Sequence, residues 1–508
     1  MDAPVIDYSD VQGLVRFGYA HLQEACFLLL QVENATAARR WLATVSVTTA
    51  ERLAERPDTA LQIAFTYEGL WAFGVSEEIM KGFSPEFITG MSGEESRSRR
   101  LGDTGASAPA QWQWGSPGHV PHVLLMLYAR KGLLDAWKTT VLETLPAAGL
   151  HLQRCLDTAE LNGYEPFGFK DGISKPQIDW HWERKVESID QLVYSNLVAV
   201  GEFLLGYPNE YGKYTDRPLI APRDDPHQQL LPAEDQPDRQ DLGRNGSYLV
   251  LRHLQQDVQG FWQFLDEQTH DKQGHADPTA RQKLAASMVG RTLEGEPLVP
   301  LADRPIAGID QEDPDDRTLN QFTYAADPAG IHCPFGAHIR RANPRNADLP
   351  EGTQGILSYL VRILGFGQHS IRDDTTASTR FHRLLRRGRK YGTTLLPEEA
   401  IQRGQPDGAE RGLYFICLNA NIGRQFEFVQ NAWIMGTKFN GLTEESDPLL
   451  GNREPMAGCP ITNTFSVPQQ HGVRRRITGM PQFVTVRGGT YFFLPSIRAL
   501  RYLASLGH

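Results

Sequence analysis

The sequence predicts an α+β protein made of two ferredoxin-like units, each an antiparallel β-sheet backed by helices. Three observations predict it. Between residues 26 and 156 the hydrophobic periodicity runs strand, helix, strand, strand, helix, strand. Strand and helix patterns of the same kind return between residues 247 and 494. The 508-residue chain is also long enough for two cores. The expected division is 1–185, which includes a stiff loop at 165–176, and 186–508, which carries long insertions. Two similar sheets leave a crevice in which a flat cofactor could sit.

Each element has its own warrant. Cys26-Phe-Leu-Leu-Leu-Gln-Val32 is a nearly unbroken apolar run and reads as a buried strand. From about Thr36, Ala38, Trp41, Leu42 and Val45 recur at helical spacing. Leu61, Ile63 and Phe65 alternate, as in a second strand. Gly93 to Gly118 reads as a long polar loop rich in Gly, Ser and Arg. Val123-Leu-Leu-Met-Leu-Tyr128 is a third strand, and Leu134, Trp137, Val141 and Leu145 share a helix face. A fourth strand fits Leu150 to Leu156, which completes the ferredoxin-like order. The Pro- and Asp-rich stretch from Pro222 to Gly246 reads as a surface loop or linker. In the second unit, Ser247 to Arg252 is a strand, and Phe261, Trp262 and Phe264 mark a helix from Asp257. Gly412 to Leu418 is a strand, and Ile422 to Met435 a helix with Phe426, Val429 and Trp433. Phe483–Val486 and Tyr491–Leu494, flanking Gly488-Gly489, read as a hairpin.

Composition narrows the function. With 40% hydrophobic and 22% charged residues and a formal net charge of −10, the chain has the makeup of a soluble globular protein. The acidic balance argues against a nucleic-acid or anionic-membrane partner, since both require positive potential. The amino-terminal residues lack a basic segment followed by an apolar one, and the longest apolar run is far below membrane-spanning length. Five widely spaced cysteines suggest reduced thiols, and the expectation is a cytoplasmic protein.

Three motifs carry the chemistry. Glu165-Pro-Phe-Gly-Phe-Lys-Asp171-Gly-Ile-Ser-Lys-Pro176 holds one carboxylate between glycines and prolines. Gly168 and Gly172 permit left-handed backbone and close approach to a ligand, and the two prolines stiffen the ends. Cys333-Pro-Phe-Gly-Ala-His338-Ile-Arg-Arg-Ala-Asn-Pro-Arg345 and Leu384-Leu-Arg386-Arg-Gly-Arg-Lys-Tyr-Gly392 follow. In this order, Gly-x-x-Asp-Gly, His-Ile-Arg-x-x-Asn-Pro-Arg and Arg-Gly-x-x-Tyr-Gly, the chain resembles the dye-decolorising peroxidase family. The resemblance extends from Val11-Gln-Gly-Leu14 to Gly489-Thr-Tyr-Phe-Phe-Leu-Pro495.

The resemblance implies haem b, non-covalently bound, one per chain, held between the two units. It implies His338 as the iron ligand and Asp447, in Asp447-Pro-Leu-Leu-Gly451, as the acceptor on its other nitrogen. A carboxylate there makes an imidazole a stronger electron donor. It implies Arg345 as the partner of a haem propionate, which the planar guanidinium fork suits. On the open side it implies Asp171 as proton shuttle and Arg386 as the positive charge that assists cleavage of hydrogen peroxide. Gly168, Phe169 and Gly172 would border the cofactor, and Leu413 and Phe415, alternating along a strand, could wall the pocket. Gly388 would leave space over the iron. Because the shuttle is a carboxylic acid, turnover is expected to be best on the acid side of neutrality. Phenols, dyes and other organic donors would return electrons one at a time, and the bulky ones would need a relay through an aromatic side chain; Trp112, Trp114, Trp180 and Trp182 lie in loop-like stretches. Covalent attachment is not expected, since Cys-x-x-Cys-His is absent.

Other readings stay open at this point. Cys333 or Cys459, each followed by proline, offers a rival thiolate ligand, and His332, Cys333 and His338 could instead hold zinc. The fold could serve a haem carrier or sensor without turnover, or an interaction protein that has lost the site. The quaternary state and the physiological donor are not written in the sequence.

Overall fold

A computed structural model of the chain describes residues 5–160, 162–183, 194–346, 379–455 and 459–507. The expected boundary between residues 185 and 186 lies outside them. The first unit comprises a strand at Glu24–Val32 (β1), a helix over Ala35–Thr44 (α1) and strands at Thr59–Phe65 (β2) and Val123–Ala129 (β3). A helix over Leu134–Thr144 (α2) and a strand at Leu150–Asp157 (β4) complete it. The strands pair in the order β2-β3-β1-β4, antiparallel throughout, the ferredoxin-like arrangement. Asn34 accepts a hydrogen bond from Ala37 N and so starts α1. All seven residues of β3 are buried because both faces of the sheet are covered, which is why these strands read as continuous apolar runs.

The second unit repeats the order with longer connections. Its strands are Ser247–Gln256 (β5), Leu385–Arg386 (β6), Arg389–Tyr391 (β7), Gly412–Asn419 (β8) and Val484–Leu494 (β9). Its helices include Val258–Glu267 (α3), Pro278–Val289 (α4) and the five-residue His338–Ala342 (α5). Here β6 and β7 pair with β8, β8 with β5, and β5 with β9, again antiparallel. The two units do not stand apart as separate sheets. β9 pairs with β2 through Phe493 and Phe65, so the described strands form a nine-stranded sheet. One face packs under the helices; the other packs on the amino-terminal segment and on residues 198–207. No helix among the described residues is long and apolar enough to cross a membrane.

Several elements differ from expectation. Phe483–Val486 and Tyr491–Leu494 belong to the single strand β9, not to a hairpin; Gly488-Gly489 lies inside it, beside a bulge. A Cβ on Gly488 would lie 2.6 Å from Trp114 Nε1, so the glycine serves the close approach of an indole and not a turn. The polar stretch 93–118 contains a helix at Glu95–Leu101, closed by Gly102 in the left-handed region. The region 422–435 winds as two π-helical segments, Gly423–Glu427 and Val429–Met435. The Pro222–Gly246 stretch is partly ordered by pairing of Gln240–Asp241 with Leu219–Ile220.

Candidate active site

Strand alternation decides which side chains meet here. On β8, Leu413 and Phe415 face a cavity of about 280 Å³, whereas Tyr414 and Ile416 join the core on the opposite face. On β6, Arg386 enters the cavity. Its neighbour Arg387 crosses to the other face and donates to the carbonyls of Leu14 and Val15, at 2.7 and 2.8 Å. Gly388 does not open space in the cavity, contrary to expectation. It packs on β8, where a Cβ would lie 2.5 Å from Tyr414 O.

The loop that carries Asp171 is folded around a buried carboxylate. Glu165 accepts from Phe167 N and Phe169 N, both at 3.0 Å, and from Gln256 Nε2 at 2.7 Å. Burial outweighs these donors and pushes its carboxyl up to about 7. Gly168, at φ +97°, closes the turn by donating to Glu165 O, and Trp262 Nε1 anchors it through Phe167 O at 3.0 Å. Asp171 N donates to Gly163 O, and Asp171 Oδ1 lies 3.7 Å from an Arg386 guanidinium nitrogen. That is an ion pair but not a hydrogen bond. With side chains 33% and 39% exposed, their mutual attraction is weak, and both groups are available to a third. Arg386 is aimed by a second bond, to Ser174 O at 3.1 Å.

His338 opens α5, a helix too short to hold itself. Arg340 pins it to Cys333 O, Asp327 O and the Asp327 carboxylate, and Arg341 pins it to the carbonyls of Trp433, Gly436 and Glu445. Gly290, the left-handed cap of α4, lets α5 come close: a Cβ there would lie 2.4 Å from Ile339 Cγ1. The Nδ1 of His338 donates to Asp447 Oδ2 at 2.9 Å, so Nε2 is the nitrogen left for a ligand. Asp447 is fully buried, and its other oxygen accepts from Leu449 N and Leu450 N at 2.9 and 2.8 Å. Burial pushes that carboxyl up, but the His338 ring and the Leu450 amide together hold it below the usual carboxylate range.

Arg345 is buried with its backbone at φ +56°. It donates to Asn320 O and Phe322 O and stacks 3.7 Å over the Phe322 ring. Among the described residues no carboxylate lies within ion-pair distance of it. Arg291 stands beside it, pushed down to about 10 by burial and by Arg345 itself.

Eight of the ten expected site residues therefore line one cavity: Asp171, Arg386, His338, Arg345, Phe169, Gly172, Leu413 and Phe415. Asp447 stands behind His338, and Gly168 shapes the loop without lining the cavity. Neither Cys333 nor Cys459 lines it, and His332, Cys333 and His338 do not converge as metal ligands. Burial pushes the Cys333 thiol up to about 12, which further disfavours a thiolate there. Arg291, Asn343, Arg383 and Ser174 also line the cavity and were not expected. Arg383 had a signal in the basic run from Arg380 to Lys390, and Asn343 and Ser174 lie inside the His338 and Asp171 motifs; Arg291 had none. Trp112 and Trp114 are buried, and Trp180 and Trp182 are half-buried.

No family model matches the sequence. The chain is similar to dye-decolorizing peroxidase msp1 of Mycetinis scorodonius, 27% identical over 519 residues, which are 99% of this chain and 88% of that protein. It is 26% identical over 513 residues to dye-decolorizing peroxidase AauDyP1 of Auricularia auricula-judae, covering 98% and 87% of the two chains. The multifunctional dye peroxidase DyP2 of an Amycolatopsis species is 30% identical over 269 residues, 51% of this chain and 49% of that one. Among solved structures, the fungal DyP-type peroxidase from Auricularia auricula-judae superposes with a TM-score of 0.71 at 24% identity, covering 99% of this chain and 100% of that one. A dye-decolorizing peroxidase in complex with 2,6-dimethoxyphenol gives 0.70 at 24%, with the same coverage.

Proposed function

We propose that this chain, similar over nearly its whole length to dye-decolorizing peroxidases, is a haem peroxidase of that family, and that its cavity takes haem b, one per chain and without a covalent tether. With it the protein reduces hydrogen peroxide while oxidising phenolic, dye-like or other organic donors in one-electron steps. The observation that carries this reading is that one cavity is lined both by an imidazole backed by a buried carboxylate and by a loosely paired acid and guanidinium.

The donor set fits the cofactor. His338 would offer Nε2 to iron, and Asp447 would keep the ring in that tautomer and enrich it in electron density. Arg345, buried and without a carboxylate in ion-pair contact among the described residues, would receive a propionate. Phe169, Gly172, Leu413 and Phe415 would border the porphyrin, and Gly168 would act only by holding the Asp171 loop in shape. Haem, when bound, would supply the two electrons that break the O–O bond and hold the resulting oxidising equivalents until donors give those electrons back.

The remaining chemistry belongs to the chain. Asp171 takes the proton from one peroxide oxygen and delivers it to the other, which leaves as water. Its backbone, fixed by the bond from Asp171 N to Gly163 O, would hold the carboxylate where one hydrogen bond or one bridging water reaches both oxygens. Arg386 offers guanidinium N–H groups to the negative charge that grows on the departing oxygen. Leu413 and Phe415 keep bulk water and bulky donors away from that spot, so large dyes would deliver electrons from the surface. The five free cysteines support a reducing compartment such as the cytoplasm.

The test is the visible spectrum of the purified protein. A Soret band that disappears in His338→Ala is expected, whereas a colourless wild type unresponsive to added haemin rejects the reading. A carrier or sensor would instead keep its peroxide reactivity in Asp171→Ala and Arg386→Leu.

A further inference from the structure

Outside the cavity, one cluster has chemistry that peroxide reduction does not use. Cys26 of β1 and Cys155 and Asp157 of β4 bring two sulfurs and a carboxylate oxygen within 4.8 Å of one another. They meet beside α2, whose Lys138 donates to Asp157 Oδ1 at 2.9 Å. We propose that Cys26, Cys155 and Asp157 form a binding site for a thiophilic d10 cation, Zn²⁺ or Cu⁺, with a fourth coordination position open to solvent.

Geometry separates this from the other uses of two neighbouring thiols. Tetrahedral zinc, with bonds of about 2.3 Å to sulfur and 2.0–2.2 Å to oxygen, sets its ligand atoms about 3.5–3.8 Å apart. Cys155 Sγ already lies 3.4 Å from Asp157 Oδ1, and the remaining pairs are within about an ångström of the required spacing. A disulfide is less favoured. In the β1–β4 register Cys26 faces Asp157 while Cys155 faces Leu28, so the two cysteines are diagonal partners. Diagonal Cα atoms stand about 7–8 Å apart, at or beyond the limit of about 7 Å for a bridge without backbone movement. A metal adds two bonds between the sulfurs and spans the gap.

Charge and access agree. Two thiols select a soft cation over Ca²⁺ or Mg²⁺, which take oxygen ligands. Both thiols give up their protons to solvent as the cation binds, so binding is linked to pH. Cys26 is buried, Cys155 half-buried and Asp157 exposed, which leaves a path inward from the surface. Lys138 is the competitor, because its ammonium already compensates Asp157 and must turn to solvent, which its 22% exposed side chain permits. None of Cys26, Cys155 and Asp157 lines the cavity, so the inference does not rest on the peroxidase reading.

The test is equilibrium dialysis of the reduced, full-length, haem-loaded protein against micromolar free Zn²⁺, followed by elemental analysis of zinc and iron. One zinc per chain is expected in addition to iron. Cys155→Ser and Cys26→Ala should each weaken zinc binding more than tenfold, and Asp157→Asn should weaken it less. Lys138→Ala should tighten it several-fold, and Cys333→Ser should leave it unchanged. Because Cys26 is buried, an intact Soret band checks that its variant is folded, and Cys155→Ser decides alone if it is not. The inference fails if wild type and Lys138→Ala both bind negligible zinc, or if Cys155→Ser binds as well as wild type. It also fails if intact mass shows Cys26 and Cys155 already joined as a disulfide.

Discussion

Replacing Asp447 should separate two quantities that the site couples, the stability of the fold and the grip on haem. The carboxylate serves three buried donors: His338 Nδ1 on one oxygen, and Leu449 N and Leu450 N on the other. Asp447→Ala strands both amides. At about 1–3 kcal/mol for each unsatisfied buried donor, it should cost roughly 2–6 kcal/mol of stability. It also removes the group that orients the imidazole, and losses of that kind weaken metal binding by about 10–100-fold. Asp447→Asn divides the effects. Its amide oxygen can still serve the two backbone donors, so stability should fall by only about 1 kcal/mol. Its amide nitrogen, however, would face Nδ1 donor to donor. The ring would then be driven to the tautomer with its proton on Nε2, the nitrogen required for iron, and haem affinity should fall as far as in the alanine variant. Denaturant unfolding of the haem-free proteins measures the first quantity, and haemin titration followed at the Soret band measures the second. If the asparagine variant binds haemin like wild type, or is as unstable as the alanine variant, the assignment of Asp447 is wrong.

Arg386→Leu should lower the rate of peroxide-dependent donor oxidation by about 10²–10³-fold, the usual loss for a donor aimed at developing charge, while the Soret band stays; stopped-flow mixing with peroxide checks both. Asp171→Asn should lower the same rate but leave the Arg386 contact to Ser174 O intact, so the double variant should lose less than the product of the two. Glu165 makes a prediction about pH. Its carboxyl is raised from 4.5 to about 7, so the folded chain keeps a proton there that the unfolded chain has lost. That contribution is fully present below about pH 4.5 and is lost as pH rises through 7, a change of roughly 3 kcal/mol. The gap in denaturation midpoint between wild type and Glu165→Gln should therefore move in favour of the variant across that interval, and a constant gap would refute it. Gly290→Ala places a Cβ at φ +98° and 2.4 Å from Ile339; it should destabilise the protein by at least about 1–2 kcal/mol and loosen haem by displacing α5, as read by melting temperature and haemin titration.

The sequence disclosed the site more readily than the shape that holds it. Asp171, His338 and Arg386 lie in short local motifs, and local backbone signals are what a sequence carries best. The first unit was legible because β1, β2 and β3 are buried along almost their whole length and so read as apolar runs. The second was harder. β6 and β7 are two and three residues long and consist largely of charged side chains, so no apolar alternation marks them. Gly488-Gly489 looks like a turn until Trp114, far away in sequence, is seen to fill the space where side chains would be. Gly388 misled for the same reason, since its closeness is to β8 and not to the cavity. Arg291 reaches the site only through tertiary packing and belongs to no motif, and Ser174, though inside the Asp171 motif, takes part through its backbone carbonyl, which any residue carries.

That difference follows from how the site is assembled. Asp171 lies on the loop that follows β4 of the first unit, and His338 and Arg386 lie among the elements of the second, so the cavity draws on residues far apart in the chain. The sheet itself does little of the docking, because β9 and β2 share one residue pair. Isolated backbone bonds, Ala159 N to Lys390 O and Gln113 N to Arg487 O, and side chains do the rest. Gln12 donates to Pro495 O at 2.8 Å, Ser84 N donates to the Tyr248 hydroxyl at 2.9 Å, and Asn245 donates to Asp10 at 2.8 Å. Nearest the cavity, Gln256 of β5 holds Glu165, and Trp262 of α3 holds Phe167 O. The bonds that fasten the second unit to the first are thus also the bonds that set the Asp171 loop opposite Arg386. Docking and placement of the catalytic pair are one event, and weakening Gln256 or Trp262 should loosen both together.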